Sequence, residues 1–245
     1  KGVTFQYLPG KPVLEDISLK ADPGEVIAVV GPTGAGKTTL INLLSRFYDV
    51  DTGSILVDGR DIREYDKKTL RLSMGVVLQE PFFFASSIRE NLLYGRPDAA
   101  DEEIKEACIL SEAHHFITRL PEQYGTVLSE RGMNLSQGER QLLAIARTIL
   151  ARPKILILDE ATSSVDSVTE AHIQKGLTRL MEGKTSFIIA HRLSTIKNAD
   201  KIIVLHNHRI VEEGNHESLM AAGGFYHRLY SLQFEKAEIT EDMEI

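Results

Sequence analysis

The run Gly31-Pro32-Thr33-Gly34-Ala35-Gly36-Lys37-Thr38 constrains this chain more than any other stretch. It fits G-x-x-x-x-G-K-[ST], the phosphate-binding loop. Its flanks fit as well. Val26 to Val30 is a short apolar, β-branched run that predicts a buried strand. Thr38 to Leu44 predicts the start of a helix with Leu40, Leu43 and Leu44 on one face. Strand, glycine loop and helix are what the chemistry needs. Glycines let the backbone curl until several N–H groups point at one anion. The helix N-terminus adds partial positive charge. In such a loop Lys37 reaches the β- and γ-phosphates, and the Thr38 hydroxyl sits on Mg2+. A glycine-rich turn that matches by chance is the plain alternative, and the strand and helix around it argue against that.

At 245 residues there is room for one large α/β domain, or for a core with a subdomain. A net charge of −7 excludes a general nucleic-acid-binding field. Cys108 is the single cysteine, so no internal disulfide forms and a reducing compartment is expected. No apolar run approaches the ~18 residues of a membrane span. Neither a signal peptide nor a solenoid repeat is visible. The chain opens at Lys1, without a Met and almost at once in a strand, which leaves room for a longer parent with membrane spans elsewhere.

In chain order, Val3 to Tyr7 alternates as a half-buried strand does. Leu8 to Pro12 reads as a turn and Val13 to Lys20 as a second strand. Tyr7 is mostly a β-former, but its place before the loop also suits a ring offered to an adenine. Ser54 to Val57 with Asp58-Gly59 predicts a hairpin, and Lys67 to Arg71 a short helix. Met74 to Leu78 predicts another buried strand with Gln79 directly at its end, where open α/β sheets bind ligands. Past Gln79, helical spacing replaces strands: Ile88 to Tyr94, Asp101 to Glu112, and Gln137 to Ala151. Phe82-Phe83-Phe84 reads equally as core or as a partner-facing patch.

Ser136-Gln137-Gly138-Glu139 opens the longest helix in capping-box form. Gly138 near a helix start is not what stability alone selects. It would let another molecule approach the backbone and the helix dipole. Ile155 to Leu158 predicts a strand buried on both faces, ending in Asp159-Glu160. Two carboxylates there are costly unless they act. Asp159 suits Mg2+, and Glu160 suits polarising a water for attack on a γ-phosphate. Thr169 to Leu180 has helical spacing. Thr185 to Ala190 predicts a strand with His191 at its end. Lys201 to Leu205 with Arg209 to Val211 predicts a hairpin, and His216 to Ala222 and Phe225 to Phe234 closing helices. The tail from Glu235 to Ile245 is acidic and poor in core residues.

Together these residues resemble the nucleotide-binding domain of an ATP-binding cassette (ABC) transporter, from Val3 to about Phe234. Gly31 to Thr38 matches the Walker A loop, and Ile155 to Glu160 matches Walker B with its glutamate. Leu135-Ser136-Gln137-Gly138-Glu139 matches the signature usually read as LSGGQ. Gln79 falls on the Q-loop, Ser163-Ser164-Val165-Asp166 on the D-loop, His191 on the switch histidine and Tyr7 on the adenine-stacking aromatic. Gln79 to Leu92 and Thr126 to Gly132 resemble the exporter type, in which such segments meet the coupling helices of a membrane domain. There are departures. Gln137 and Glu139 replace the usual Gly and Gln, Leu128-Ser129 replaces Val-Gly, and Asn207-His208 stands where relatives place a Gly.

The resemblance implies an α/β P-loop NTPase core of RecA-like type, with an antiparallel β subdomain and an inserted α-helical subdomain. Residues 1–79 would hold the first part of the ATP-binding core, 80–152 the helical subdomain, 153–234 the rest of the core, and 235–245 the tail. It implies an ATPase that dimerises head to tail around Mg-ATP to power export, at the cytoplasmic face of a membrane and without nucleic acid as partner. The implied catalytic residues are Glu160, His191, Gln79 and Lys37. The implied nucleotide contacts are Tyr7, Gly31, Thr33, Gly34, Ala35, Gly36, Lys37, Thr38 and Thr39, with Ser136, Gly138 and Asp166 acting across the dimer. Thr38, Gln79 and Asp159 would hold Mg2+. A regulatory cassette with weak turnover and a soluble cassette protein remain as alternatives. Glu160 and His191 argue against the first. The absence of a long insertion or second cassette argues against the other.

Overall fold

The computed structural model describes residues 1–159, 165–190 and 193–232. By its internal contacts the chain divides into two compact units, residues 1–71 with 187–245 and residues 72–186. The first unit opens on an antiparallel pair, β1 (Val3–Leu8) and β2 (Lys11–Ile17). The turn expected over 8–12 shrinks to Pro9-Gly10, with Gly10 at φ +77. Pro12 fits inside β2 because the sheet has two strands and no third one asks for its missing N–H. Next come β3 (Val26–Val30) and α1 (Lys37–Leu44). The expected hairpin forms from β4 (Leu56–Val57) and β5 (Arg60–Asp61). Its turn residues Asp58 and Gly59 both take positive φ, 50 and 80, as a type I′ turn requires. A short helix, α2 (Lys67–Leu72), follows.

The second unit holds β6 (Met74–Val77), then α3 (Ile88–Leu93), α4 (Asp101–Leu110), α5 (His114–Ile117) and α6 (Gln137–Ala151), then β7 (Ile155–Asp159) and α7 (Ser167–Met181). Strands β6 and β7 pair in parallel, with Val77 opposite Leu158. The helical segment expected over 80–152 falls within this unit, together with both strands and α7. Helix α5 was not foreseen, because four residues are too few to show a period. β6 is also less buried than its apolar run suggests. Val76 and Leu78 are exposed because β6 is an edge strand with one uncovered face. Helix α6 buries Leu142, Leu143, Ile145, Ala146 and Leu150. Each large aliphatic side chain so buried contributes roughly 1.5–3 kcal/mol.

One carboxylate ties α7 to the loop after α4. Glu112 accepts from Arg179 Nη1 at 2.7 Å and pairs with Lys175 Nζ at 2.9 Å and His172 Nδ1 at 3.2 Å. Burial works to raise its pKa, but the bonds from Lys175, His172 and Arg179 outweigh burial and hold it below the usual carboxylate range. A depressed folded pKa means the stabilisation is present above the unfolded value, near 4.3, and fades as pH falls through the folded one. Glu112→Gln is therefore expected to cost about 1–2 kcal/mol at pH 7. The gap from the parent should narrow steadily in acid, where the parent carboxyl is also neutral. Urea unfolding between pH 7 and pH 3 checks this, and a gap independent of pH would contradict it.

The chain then returns to the first unit through β8 (Thr185–Ile189), α8 (Leu193–Lys197), β9 (Lys201–His206), β10 (Arg209–Gly214), α9 (His216–Ala222) and α10 (Phe225–Tyr230). Strand order in this unit runs β10-β9-β3-β8. β3 and β9 are parallel, from Ile27 opposite Lys201 to Val30 opposite Val204. Ile27, Ala28, Val29 and Ile202 to Leu205 are fully buried, as a strand covered on both faces must be. The β9–β10 turn places Asn207 and His208 at φ 47 and 69, so two residues with side chains occupy left-handed positions. Asn tolerates this better than most. Phe5, Leu14, Val29, Leu40, Leu43 and Leu205 share one core cluster, and Ala35 of the glycine loop belongs to it. The last helix is α-helical to Tyr230 and continues as π-helix through Ser231 and Leu232; the rest of its expected span, to Phe234, lies outside the described residues. The acidic tail over 235–245 lies outside the described residues.

Candidate functional site

The glycine loop leaves β3 at Val30 and enters α1 at Lys37. Two glycines are there for room as much as for φ. At Gly31, φ +152, a Cβ would lie 2.2 Å from the Leu205 carbonyl oxygen on β9. At Gly36, φ +103, it would lie 2.7 Å from Leu14 Cδ2 and 2.9 Å from the Val13 oxygen. Gly34 is different: at φ +81 its missing side chain faces open space. Thr33, Gly34 and Thr38 are exposed, while Ala35 and Thr39 are buried. Ala35 N donates to the Pro32 carbonyl at 3.2 Å and closes the loop.

Helix α1 starts on Gly36, which has no side chain to cap it, and its first turn carries no acidic residue. The positive end of its dipole therefore meets no acidic side chain from its own first turn. Lys37 Nζ folds over the loop mouth and donates to the Gly31 carbonyl at 2.6 Å and the Pro32 carbonyl at 3.0 Å. An ammonium held on carbonyl oxygens is readily drawn to the stronger acceptors of a phosphate. The loop is thus shaped for a polyanion.

Tyr7 stands beside this loop. Its hydroxyl donates to Thr39 Oγ1 at 3.3 Å, and its ring is about half exposed. Phe5 and Tyr48 flank it. The structure therefore gathers Tyr7, Thr39 and the glycine loop into one neighbourhood. Tyr48 was not foreseen: it lies far along the chain, and no motif marks it.

The remaining described site residues lie in the second unit. Gln79 and Asp159 come at the carboxyl ends of the paired strands β6 and β7. Gln79 is exposed, two residues past the end of β6 rather than directly on it. Ser136 caps α6: its Oγ accepts from Glu139 N at 3.2 Å, and Glu139 Oε2 accepts from Ser136 N at 2.8 Å. Gly138 is buried, and a Cβ there would come 2.2 Å from Thr169 Cγ2. The space next to it is filled by this chain's own α7, which sequence reasoning did not see. Asp166 caps α7, accepting from Thr169 N at 3.0 Å. That backbone bond, with one from the Thr169 side chain, holds its carboxyl below the usual range. Glu160, Ser163, Ser164 and His191 lie outside the described residues.

The two segments expected to meet a membrane domain are joined to each other. Ile88 N donates to the Thr126 carbonyl at 3.0 Å and Leu128 N to the Ser86 carbonyl at 2.9 Å. Phe83 is fully buried while Phe82 and Phe84 are exposed, so the aromatic triplet serves both as core and as surface. Phe84 stacks on exposed Tyr94 at 4.4 Å. Among the described residues no helix is long and apolar enough to cross a membrane.

A family model described as ABC transporter matches residues 14–163. The chain is 52% identical over 236 residues to the "Uncharacterized ABC transporter ATP-binding protein YfiC" of Bacillus subtilis (strain 168), covering 96% of this chain and 39% of that protein. It is 52% identical over 227 residues to the "Fatty acid ABC transporter ATP-binding/permease protein" of Mycobacterium bovis, covering 93% of this chain and 36% of that one. Among solved structures, that of a bacterial Atm1-family ABC exporter with ATP bound superposes with a TM-score of 0.89 at 40% identity. The superposition covers 95% of this chain and 41% of that one. The chain spans about two fifths of the length of the relatives it matches. With the glycine loop between β3 and α1, these likenesses give the P-loop NTPase fold. The chain belongs to the ABC transporter family, as a nucleotide-binding domain similar to that of an Atm1-family exporter.

Proposed function

We propose that this domain powers export across a membrane by closing head to tail with a second cassette around ATP and hydrolysing it. The observation that carries this reading is the glycine loop with Lys37 folded over its mouth and an uncapped helix start behind it. Transfer of a γ-phosphoryl group needs position and charge stabilisation more than covalent help. The N–H groups of Gly31 to Thr39, with Thr33, Gly34, Ala35 and Gly36 shaping the curl, and the Lys37 ammonium supply both on one side. Tyr7 offers its ring to the adenine. Ser136 and Gly138 of the opposing cassette present a second helix N-terminus to the γ-phosphate, and only on closure. ATP then holds the two cassettes together, and its hydrolysis frees them.

Glu160 takes the proton of the attacking water, His191 braces that water and the γ-phosphate, and Asp166 links the two sites across the dimer. Thr38, Gln79 and Asp159 would hold Mg2+, which neutralises phosphate charge when bound. Their hydroxyl, amide and carboxylate oxygens suit a hard cation that keeps several waters, and Thr38 is an exposed residue. Gln79 to Leu92 and Thr126 to Gly132 dock the coupling helices of a membrane domain, and the exposed Phe82, Phe84 and Tyr94 supply the apolar part of that surface. On this reading the domain works at the cytoplasmic face of that membrane. No nucleic acid enters the cycle.

Sedimentation of the Glu160→Gln chain with and without Mg-ATP tests the reading. A shift from monomer to dimer with Mg-ATP, lost in Lys37→Ala, is the expected result. A chain that stays monomeric at saturating Mg-ATP would contradict the clamp.

A further inference from the structure

We propose that Tyr48 is a positioning residue for the nucleobase, holding the ring of Tyr7 in the plane on which the base stacks. This rests on the adenine role proposed for Tyr7. Three rings meet beside the glycine loop. Phe5 and Tyr7 share one face of β1, two residues apart. Phe5 is buried and Tyr7 lies one residue before the strand ends. Their centroids are 4.9 Å apart with planes at 88°. Tyr48, in the segment after α1, meets Tyr7 at 5.2 Å and 85°, and Phe5 at 5.6 Å. Each ring therefore touches the other two.

Such edge-to-face contacts are favourable because the positive rim of one ring meets the negative face of the other. They also fix an angle, which simple burial does not. Tyr7 needs that help. It stands at the end of a two-stranded sheet, and its hydroxyl is tied to Thr39 by a bond of 3.3 Å, beyond the usual O–H···O range. A stacking platform gives affinity only if its orientation is set before the ligand arrives, since ordering it afterwards costs binding free energy. Tyr48 comes from the segment that follows α1, so the helix that begins at the phosphate loop also delivers the ring that orients the base platform. Tyr48 is itself about half exposed, so its replacement leaves the core intact.

The test is calorimetric titration of the full chain with Mg-ADP, which carries the base and is not hydrolysed, and with Mg-pyrophosphate, which lacks it. Tyr48→Ala is expected to weaken Mg-ADP by roughly 3- to 10-fold and to leave Mg-pyrophosphate unchanged. Tyr48→Phe should restore Mg-ADP, because the ring and not the hydroxyl makes the contact. Tyr7→Ala should weaken Mg-ADP at least as much, and adding Tyr48→Ala to it should do nothing further. If Tyr7→Ala weakens Mg-ADP and Tyr48→Ala does not, the positioning role falls and the adenine role of Tyr7 stands. If Tyr7→Ala leaves Mg-ADP unchanged, both fall. Equal weakening of Mg-ADP and Mg-pyrophosphate by Tyr48→Ala would also overturn the proposal, since Tyr48 would then act on the loop.

Discussion

Replacing Glu160 by Gln is expected to leave Mg-ATP binding intact and to slow hydrolysis by at least ~10²-fold. Glu160 follows Asp159, which ends β7. β7 is a strand with Leu156, Ile157 and Leu158 buried. A carboxylate beyond such a strand can accept a proton from water as the phosphorus is attacked. The amide of Gln has the same shape and can still orient the water, but it cannot take the proton. Binding is assigned in this proposal to other groups: the glycine loop, Lys37 and the base platform. The two effects should therefore separate, with the ATP-bound dimer persisting while phosphate release fails. Steady-state phosphate release measured beside equilibrium ATP binding checks both halves. Near-normal turnover would remove Glu160 from the role of base.

The second large effect is expected at Gly138. Gly138→Ala should reduce ATP turnover by at least about tenfold, through overpacking of roughly 1–3 kcal/mol. The new Cβ would lie 2.2 Å from Thr169 Cγ2 and 3.3 Å from Val165 Cγ1. With Thr169 kept in its present rotamer, relief requires the start of α6 or of α7 to move. The first carries the Ser136 cap and the second the Asp166 cap. Either shift displaces a group assigned to the closed dimer. The cause can be isolated. Thr169→Ser deletes Cγ2 while keeping the backbone N–H that bonds Asp166 at 3.0 Å. In the Gly138→Ala background it should restore turnover to within about threefold of the parent. Failure to restore, with both chains equally stable to urea, would mean that the nucleotide held by the partner, rather than Thr169, forbids a side chain at this position.

These two positions also divide what could be read in advance from what could not. The glycine loop, the Ser136–Glu139 box and the strand leading to Asp159 follow from neighbours in the chain. Their reasons are local: φ freedom at glycine, reciprocal capping three residues apart, and an apolar run the length of a strand. All three stand in the structure where their residues placed them. The readings that slipped were boundaries and exposures. Gln79 sits two residues beyond β6, and Val76 and Leu78 face outward. An apolar run shows which residues seek cover. It does not show whether a neighbouring strand will arrive to provide it.

Residue order was enough to identify a phosphate-loop enzyme of the cassette family, because that chemistry is written in short segments whose geometry is almost self-contained. Folding settled the reasons behind individual residues. Gly138 is glycine beside Thr169, Gly31 is glycine over Leu205, and Tyr7 finds its ring braced by Tyr48. Each of these joins residues distant in the chain, and such contacts exist only once the elements that carry them have packed, so no local pattern announces them.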